Sequence, residues 1–270
     1  MATILDEIVE NKKNELVYQK KLFSIHHLKN RPYYAEEPLS LKDALTKSRT
    51  GIIAEFKRKS PSKGVIHANI EPEDVIPFYI KYGCAAISCL ADQDFFGGSV
   101  TDVRHVKSAM METRCGFVPV LFKEFIIDPY QIYQARSTGA DAVLLIAACL
   151  EKSQCLELAD EAKYVGMETL LEIHSADELS YYDEKYIDVL GVNNRNLKIF
   201  KTDVEISKSM VKDLPENVVK ISESGISKPE TVAELKKLGY NGFLMGENFM
   251  KEENPGLALK NFIEEVEKCL

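Results

Sequence analysis

Eight short apolar runs recur along the chain from residue 52 onward, and each is followed by a polar loop and a helix-length amphipathic segment. The runs are Ile52–Phe56, Ala85–Leu90, Phe117–Phe122, Ala142–Ile146, Thr169–Ile173, Val189–Val192, Val218–Ile221 and Gly242–Met245. Short apolar runs of this kind are typical of buried strands. Strands that alternate with helices indicate a parallel sheet with right-handed crossovers. Eight such units predict an α/β fold of the (β/α)8 TIM-barrel type.

An open, doubly wound sheet is the alternative to a closed barrel. No Gly-x-Gly-x-x-Gly motif follows any of the runs, although that motif marks many open sheets that bind dinucleotides. The number of units also favours closure, because a barrel needs eight. Helix starts are predicted at Asp128-Pro129, an N-cap followed by a proline, and at three capping boxes that begin at Ser175, Thr202 and Ser227.

The N-terminal segment lacks the repeat and is predicted to form a helical extension packed on the barrel. Its first part is charged and favours a helix, with Ile4, Ile8 and Leu16 forming a modest apolar stripe. The stretch from residue 31 to 38 interrupts that helix, and another short helix is predicted over residues 40–46. We therefore divide the chain into the extension, residues 1–48, and a barrel domain, residues 49–270.

The composition is that of a soluble globular protein, with 45% hydrophobic and 28% charged residues. A net charge of −8 argues against a general nucleic-acid binder, which usually has a basic face. The N-terminus has no apolar signal segment, and no run is long enough to span a membrane. The six cysteines form no Cys-x-x-Cys pair and no metal-ligand spacing with histidine. We expect reduced thiols, no metal site and a cytoplasmic protein.

The stretch from Ile52 to Gly64 carries the first candidate chemistry. It begins as a buried strand and then breaks into a cluster of one acid, four cations, two serines and a proline. Glu55 lies within the apolar run, where an unpaired carboxylate would be costly, and Lys57 follows on the same side of the strand. This combination indicates a site for an anionic substrate, although charged loops after core strands are also common at protein surfaces.

Polar residues stand at the corresponding ends of several other runs. Lys123 follows the third run, Glu172 lies near the end of the fifth, and Glu223 follows the seventh. Asn193 and Arg195 follow the sixth. In a barrel these positions all meet at the C-terminal mouth, where barrel enzymes keep their active sites. The sequence therefore predicts one polar site built from several strands.

A phosphate site is predicted after the seventh and eighth runs. Ser224 and Gly225 follow the seventh run, and Gly246 closes the eighth. Such turns can present backbone N–H groups to an anion, and barrels commonly bind phosphate at these two strands. Ser60 and Lys63 are predicted to reach the same phosphate, because the first and eighth strands are neighbours in a closed barrel.

The chain resembles the indole-3-glycerol-phosphate synthase family of tryptophan biosynthesis, from the N-terminal helical segment to the final helix. The resemblance rests on Ile-Ala-Glu-Phe-Lys-Arg-Lys-Ser-Pro-Ser-Lys-Gly, Phe-Phe-Gly-Gly-Ser, Leu-Phe-Lys-Glu-Phe-Ile, Leu-Leu-Glu-Ile-His, Gly-Val-Asn-Asn-Arg-Asn-Leu and Ser-Glu-Ser-Gly-Ile. It implies a (β/α)8 barrel with an N-terminal extension and a carboxy-lyase that needs no cofactor or metal. The implied substrate is 1-(2-carboxyphenylamino)-1-deoxyribulose 5-phosphate, which loses carbon dioxide and water as it closes to indole-3-glycerol phosphate.

The family pattern also implies catalytic roles. Lys123 matches the general acid that protonates the ketone oxygen, while Lys57 either holds the substrate carboxylate or shares the proton transfers. Glu172 matches the carboxyl group that moves protons during dehydration, and Glu55 is placed to orient a lysine. His174 is interpreted as structural, because a lone histidine after a strand is more often structural than catalytic.

Binding residues are implied by the same pattern. Glu223 and Asn193 are expected to hydrogen-bond substrate hydroxyls or catalytic groups, and Arg195 to hold the carboxylate or the charge network. The implied phosphate residues are Ser60, Ser224, Gly225, Gly246 and Glu247. An apolar wall for the aromatic ring is implied at Pro61, Phe96, Phe125, Leu145 and Leu197. Many family members have Ser or Thr at the position of Glu247, and a carboxylate there would repel the phosphate unless the side chain turns away.

The nearest alternative function is that of another phosphosugar-binding barrel, such as phosphoribosylanthranilate isomerase, which usually works with a Cys and an Asp. Cys89 lies inside the second run and Cys149 beyond the fourth, so neither fits that pattern. A non-catalytic barrel would be expected to lack one of the catalytic lysines or Glu172, and all are present.

The expected partner is a phosphorylated small molecule, with no nucleic acid and no membrane. We expect a monomer or weak homo-oligomer, with other tryptophan-pathway enzymes as candidate partners.

Overall fold

Eight parallel strands close into a barrel in the computed structural model, which describes residues 3–196 and 201–270. The strands are β1 (Ile52–Phe56), β2 (Ala86–Leu90), β3 (Val120–Lys123), β4 (Ala142–Ile146), β5 (Glu168–Ile173), β6 (Val189–Asn193), β7 (Val219–Glu223) and β8 (Gly242–Met245). Each strand pairs with its neighbours along the chain, and β8 closes the ring by pairing Phe243 with Ile52 of β1. The predicted barrel is confirmed, and each of the eight apolar runs supplies one strand.

The strands are buried on both faces, which explains why the apolar runs show little alternation with polar residues. Ile53, Leu121 and Leu144 belong to a cluster that fills the inside of the barrel. Val143 and Leu145 belong to a larger cluster, which packs the outside of the strands against the surrounding helices. Neighbouring side chains on one strand therefore enter different layers of the core.

The helices surround the barrel and follow its strands. They are α1 (Ile4–Leu22), α2 (Ile25–Lys29), α3 (Leu41–Lys47), α4 (Pro72–Lys81), α5 (Val100–Thr113), α6 (Pro129–Ser137), α7 (Lys152–Tyr164), α8 (Glu205–Met210), α9 (Pro229–Lys237), α10 (Glu247–Met250) and α11 (Pro255–Cys269). Short 3-10 turns occupy Pro32–Ala35, Ala147–Cys149, Ala176–Tyr181 and Val211–Asp213. In the described ranges, no helix combines the length and apolar content that crossing a membrane requires.

Two of the four predicted helix starts, at Asp128 and Ser175, are confirmed in position, and the starts at Thr202 and Ser227 are wrong. Asp128 caps α6 with its carboxylate, and a proline begins the helix. Ser175 makes no side-chain cap bond, and Glu178 instead accepts the N–H of the histidine before that serine. The helices expected directly after Thr202 and Ser227 begin only at residues 205 and 229, without a side-chain cap. A four-residue motif therefore located these helices but not their first turns.

The helices before β1 contact both ends of the barrel. Ile4 and Ile8 of α1 line a cavity at the C-terminal mouth. At the other end, Leu41 and Leu45 of α3 join the cluster inside the barrel, and Leu45 lies beside Gly242 at the start of β8. The burial of Ile8 fits the predicted apolar stripe on the first helix. The division into an extension, residues 1–48, and a barrel domain, residues 49–270, stays a prediction.

Candidate active site

A cavity of about 420 Å³ opens at the C-terminal ends of the strands. Most of the predicted site residues line it: Glu55, Lys57, Pro61, Phe96, Lys123, Phe125, Glu172, Asn193, Arg195, Glu223, Ser224, Gly225, Gly246 and Glu247. They come together because the C-terminal ends of all the parallel strands meet at one rim of a closed barrel. Leu197, the last member of the predicted apolar wall, lies outside the described residues.

Two predicted residues do not line the cavity. Leu145 is fully buried in the layer between strands and helices, which corrects its placement in the apolar wall. Its neighbours Leu144 and Ile146 line the cavity instead, because successive side chains of a strand point to opposite faces. Ser60 is also absent from the lining, and its Oγ accepts the N–H of Lys63 at 3.2 Å. The predicted contact of Ser60 with the phosphate therefore stays a prediction.

Lys123 is the centre of the charged part of the cavity. Its Nζ donates to Glu223 Oε2 at 2.6 Å and lies 3.3 Å from Glu172 Oε2. The other oxygen of Glu172 accepts Nδ2–H of Asn193 at 2.9 Å, and Asn193 Oδ1 accepts the N–H of Arg195 at 3.0 Å. The Glu172 and Glu223 side chains are only 4% and 1% exposed, so little water screens their interaction with the ammonium group.

The pKa values of Lys123, Glu172 and Glu223 are shifted from their ordinary values, and the two carboxyl groups shift in opposite directions. Burial alone would lower the pKa of Lys123, but Glu223 and Glu172 outweigh burial and hold it above its ordinary value. Burial would raise the pKa of Glu172, but Lys123 and the neighbouring His174 hold it well below its usual range. Burial raises the pKa of Glu223 to about 7, since the opposing effect of Lys123 is partly cancelled by Glu172. The cavity thus holds a charged ammonium group, an ionised carboxylate and a carboxyl group that titrates near neutrality.

Glu55 and Lys57 form a second ion pair at the end of β1. Lys57 Nζ lies 2.7 Å from Glu55 Oε1. Burial would raise the pKa of Glu55, but Lys57 and, less strongly, Lys123 lower it, so the carboxylate is ionised. Gly246 leaves the room that this carboxylate needs, because a Cβ there would come within 2.9 Å of the Glu55 side chain. Lys57 also lines the cavity, so its ammonium group can contact a ligand carboxylate.

The loop after β1 folds over the mouth as a short hairpin, residues 59–65. From the opposite side of the mouth, Arg195 Nη1 donates to Ser62 Oγ at 3.3 Å. Lys63 Nζ lies 3.7 Å from Glu247 Oε1, and the two side chains are 60% and 38% exposed. The carboxylate expected to oppose a phosphate therefore points towards a cation of the hairpin.

The turn after β7 has an unusual backbone. Ser224 and Gly225 have φ values of +68° and +75°, and left-handed backbone is uncommon for a residue other than glycine. Ser224 is held by Asn194, whose Nδ2 donates to the Ser224 carbonyl oxygen at 3.0 Å and to Ser222 Oγ at 3.0 Å. The sequence prediction omitted Asn194. The sequence of two consecutive asparagines does not indicate their separate roles. Asn193 faces the cavity, while Asn194 is fully buried and fixes the turn.

The apolar side of the cavity comes partly from the barrel and partly from α1. Phe96 and Phe125 pack with ring centroids 5.8 Å apart and tilted planes. Ile4, Leu5 and Ile8 of α1 also line the cavity, and the sequence prediction omitted them as site residues. Their apolar spacing indicated a packed helix face, but it did not indicate that the face lies over the mouth.

His174 lies behind Glu172 and does not line the cavity. Its Nε2 is 3.3 Å from Glu172 Oε1, and its Nδ1 is 3.6 Å from Glu178 Oε2. Burial would lower the pKa of His174, but the two carboxylates raise it to about 10. A charged imidazolium therefore supports the ionised state of Glu172. Within residues 3–196 and 201–270, no group of three or more His, Cys, Asp or Glu side chains could hold a metal ion.

Comparison with known families gives a match over nearly the whole chain. The family model described as indole-3-glycerol phosphate synthase matches residues 5–262. An indole-3-glycerol phosphate synthase of Bacteroides thetaiotaomicron is 49% identical over 267 residues, which cover 99% of this chain and 100% of that protein. One of Salinibacter ruber is 40% identical over 267 residues, which cover 98% of this chain and 97% of that protein.

Solved structures with a similar fold are more distant in sequence. A thiamine phosphate pyrophosphorylase from Pyrococcus furiosus aligns with a TM-score of 0.60 at 14% identity, over 86% of this chain and 100% of that chain. A 3-hexulose-6-phosphate synthase from Salmonella typhimurium also aligns with a TM-score of 0.60, at 13% identity, over 82% of this chain and 100% of that chain. At such low identity the likeness concerns the barrel fold alone.

Proposed function

The chain belongs to the indole-3-glycerol phosphate synthase family, and we propose that the residues at its barrel mouth carry out that family's reaction in the roles given below. The chain is thus a carboxy-lyase of tryptophan biosynthesis. Its substrate is 1-(2-carboxyphenylamino)-1-deoxyribulose 5-phosphate. Ring closure, decarboxylation and dehydration convert this substrate to indole-3-glycerol phosphate, carbon dioxide and water.

The position of Lys123 between two buried carboxylates is the observation that carries the role assignment. Ring closure forms a bond between the ring carbon that bears the carboxylate and the ketone carbon, and the ketone oxygen must gain a proton. The Lys123 ammonium faces the cavity, and Glu223 at 2.6 Å and Glu172 at 3.3 Å keep it charged. Lys123 is therefore the general acid of this step in our proposal.

Lys57 is assigned to the substrate carboxylate. Its ammonium group lies at the cavity wall, and in the described part of the chain it pairs with one carboxylate, Glu55, at 2.7 Å. It can therefore hold a second carboxylate until carbon dioxide leaves, which restores the aromatic ring. Glu55 orients the ammonium group. This division between the two lysines is supported by Lys123 having two acidic partners and Lys57 having one among the described residues.

Dehydration needs a base and a second proton. The hydroxyl group left by ring closure departs as water after it gains a proton, and a proton leaves the pyrrole carbon or nitrogen. Glu172 is assigned as the base, because its depressed pKa keeps it ionised and Asn193 fixes its orientation at 2.9 Å. Two protons are donated to oxygen and one is removed from carbon or nitrogen, so the whole reaction takes up one proton as the carboxylate leaves as carbon dioxide.

The phosphate end of the substrate is assigned to the turns after β7 and β8. Ser224, Gly225 and Gly246 line the cavity there, where barrels commonly bind phosphate. Lys63 of the hairpin adds a cation, and Arg195 borders the same mouth. The aromatic ring then falls on the apolar side of the cavity.

An isomerase of the phosphoribosylanthranilate type is less well supported. Among the described residues, no cysteine lines the cavity, and that chemistry usually pairs a cysteine with an aspartate. The family match and the two lysines with their carboxylates favour the lyase.

The assignment is tested by mixing the purified protein with 1-(2-carboxyphenylamino)-1-deoxyribulose 5-phosphate and following indole fluorescence and carbon dioxide release. We expect both products in equal amounts. The reference variant is Lys107→Met, which removes a buried ion pair with Asp141 at 2.8 Å, and neither residue lines the cavity. Conversion of this compound back to the isomeric aminoaldose, without release of carbon dioxide, would contradict the assignment.

We also propose a cytoplasmic location and a monomer or weak homo-oligomer, with other enzymes of the tryptophan pathway as candidate partners. The six free cysteines support a reducing compartment. Sedimentation at several concentrations would measure the oligomeric state. A stable dimer at nanomolar concentration would contradict this part of the proposal.

A further inference from the structure

We propose that Lys12 of α1 is a positioning residue for the aromatic side of the substrate cavity. It holds the two carboxylates that fix the loops of Phe96 and Phe125. The proposal rests on the proposed function, since it concerns how the same cavity receives its substrate. It also assigns a task to the N-terminal helix that its apolar contacts alone do not explain.

The contacts of Lys12 are those of a buried charge rather than a surface lysine. The residue is 1% exposed, and its Nζ lies 3.0 Å from Glu124 Oε2 and 3.2 Å from Asp92 Oδ2. A third carboxylate, Glu15 of the same helix, lies at 2.6 Å. Glu124 and Asp92 are 3% and 1% exposed in their side chains. Among the described residues, no hydrogen bond reaches Asp92 Oδ2, so the ion pair with Lys12 compensates its charge.

The opposite oxygen of each carboxylate holds a loop of the cavity. Asp92 Oδ1 accepts the N–H groups of Phe95 at 2.8 Å and Phe96 at 3.2 Å. Glu124 Oε1 accepts the N–H of Phe125 at 2.7 Å. Phe96 and Phe125 are the two rings that pack together on the cavity wall. Each carboxylate therefore links Lys12 on one side to an aromatic ring of the cavity on the other.

Charge balance makes this arrangement depend on Lys12. Burial would lower the pKa of Lys12, but Glu124 and Asp92 raise it above its ordinary value. Burial raises the pKa of Glu124 to about 7 although Lys12 opposes it. Without the ammonium group, two buried carboxylates would face each other, and they would either take up protons or move apart towards water. Both changes weaken their bonds to the N–H groups of the phenylalanines.

A simpler role for Lys12 is to anchor α1 and nothing more. Lys20 is the matched control for that role, because it lies on the same helix and pairs with Asp128 of the barrel at 2.6 Å. The Lys20 and Asp128 side chains are 45% and 30% exposed, and neither lines the cavity. If Lys12 only anchored α1, neither substitution would change hydrogen exchange at the N–H groups of Phe95, Phe96 and Phe125.

The experiment compares Lys12→Met with Lys20→Met and the wild-type protein. For Lys12→Met we expect KM for the substrate to rise about tenfold while kcat changes less than about threefold, since the chemistry of Lys123 is untouched. We also expect faster hydrogen exchange at the N–H groups of Phe95, Phe96 and Phe125. Lys20→Met should match the wild-type protein in both measurements. The exchange measurement needs no turnover, so it tests the proposal even if the proposed reaction fails.

Asp92→Asn is the second variant, and it keeps the shape of the side chain if Lys12→Met does not fold. We expect faster exchange at Phe95 and Phe96 with little change at Phe125, and KM raised about threefold. Unchanged exchange at these N–H groups, in whichever of the two variants folds, would overturn the proposal. A rise in KM of equal size in Lys20→Met would also overturn it, because that result would reduce Lys12 to an anchor of the helix.

Discussion

Replacing Lys123 with methionine tests the role of its ammonium group in both chemistry and folding. Methionine keeps most of the side-chain volume but removes the charge that lies 2.6 Å from Glu223 and 3.3 Å from Glu172. Two consequences follow. The ketone oxygen loses its proton donor, and two carboxylates that are nearly inaccessible to water lose their common partner.

The size of each effect follows from the structure. Loss of a positioned general acid lowers kcat by about 10²- to 10⁴-fold, which corresponds to about 2.7–5.4 kcal/mol of transition-state stabilisation. Removal of one partner from a buried ion pair costs about 3–5 kcal/mol of the free energy of unfolding, because the other charge is left uncompensated. The pKa of Glu223, already raised to about 7, should rise further without Lys123.

The stability lost in the Lys123→Met variant depends on pH, and the direction follows from the titration of Glu223. Below pH 7 Glu223 is protonated in both proteins, so it is neutral there and loses little when the Lys123 charge is removed. Above pH 7 the wild-type protein releases that proton, while the variant must keep it or bury an uncompensated charge. The loss of stability relative to the wild-type protein should therefore be larger at pH 9 than at pH 6.

The assays are steady-state turnover followed by indole fluorescence, and denaturant unfolding at pH 6 and pH 9. Lys107→Met is the control, because Lys107 also forms a buried ion pair, 2.8 Å from Asp141, but lies away from the mouth. It should lose stability without a comparable loss of kcat. Turnover of Lys123→Met within about fivefold of the wild-type value would refute the general-acid assignment. A loss of stability that is equal at both pH values would refute the charge coupling.

The remaining predictions concern the base, the phosphate end and the titrating carboxyl group. Glu172→Gln should lower kcat about 10²- to 10⁴-fold with KM changed less than about threefold, and an effect confined to KM would contradict its role as base. Glu247→Ser should lower KM up to about fivefold at low salt, because a carboxylate near the phosphate is removed. Glu252→Ser is the exposed control, and an equal change of KM in that variant would contradict the prediction. A plot of kcat/KM against pH should fall on the acidic side with an apparent pKa of about 7, because protonated Glu223 no longer holds the Lys123 ammonium group by charge. Glu223→Gln should not show this acidic fall. If the fall persists in that variant, it belongs to another group.

Much of the fold could be predicted from the order of apolar runs and helical segments. Eight apolar runs became eight strands, because a parallel sheet inside a ring of helices needs apolar residues on both faces. The positions of Lys123, Glu172 and Glu223 in the cavity follow from the same topology. Each stands at the C-terminal end of a strand, and a closed barrel gathers those ends at one rim.

The facing of individual side chains could not be predicted in the same way. Leu144, Leu145 and Ile146 are all apolar, so the sequence does not distinguish the two layers of core that flank β4. The structure places Leu145 towards the helices and its neighbours towards the cavity. A local motif was equally unable to fix the first turns of the helices after Thr202 and Ser227.

By itself, the sequence determined the strand order, the polar residues at the strand ends and the pairing of Glu55 with Lys57, which are two residues apart. Only the tertiary structure decided that α1 lies over the mouth and that Lys12 meets Glu124, 112 residues away. Local pattern is enough where a contact follows from the period of one strand or the topology of a repeat. It is not enough for a lysine on an amphipathic helix, whose burial depends on which distant carboxylates the packed chain brings to it.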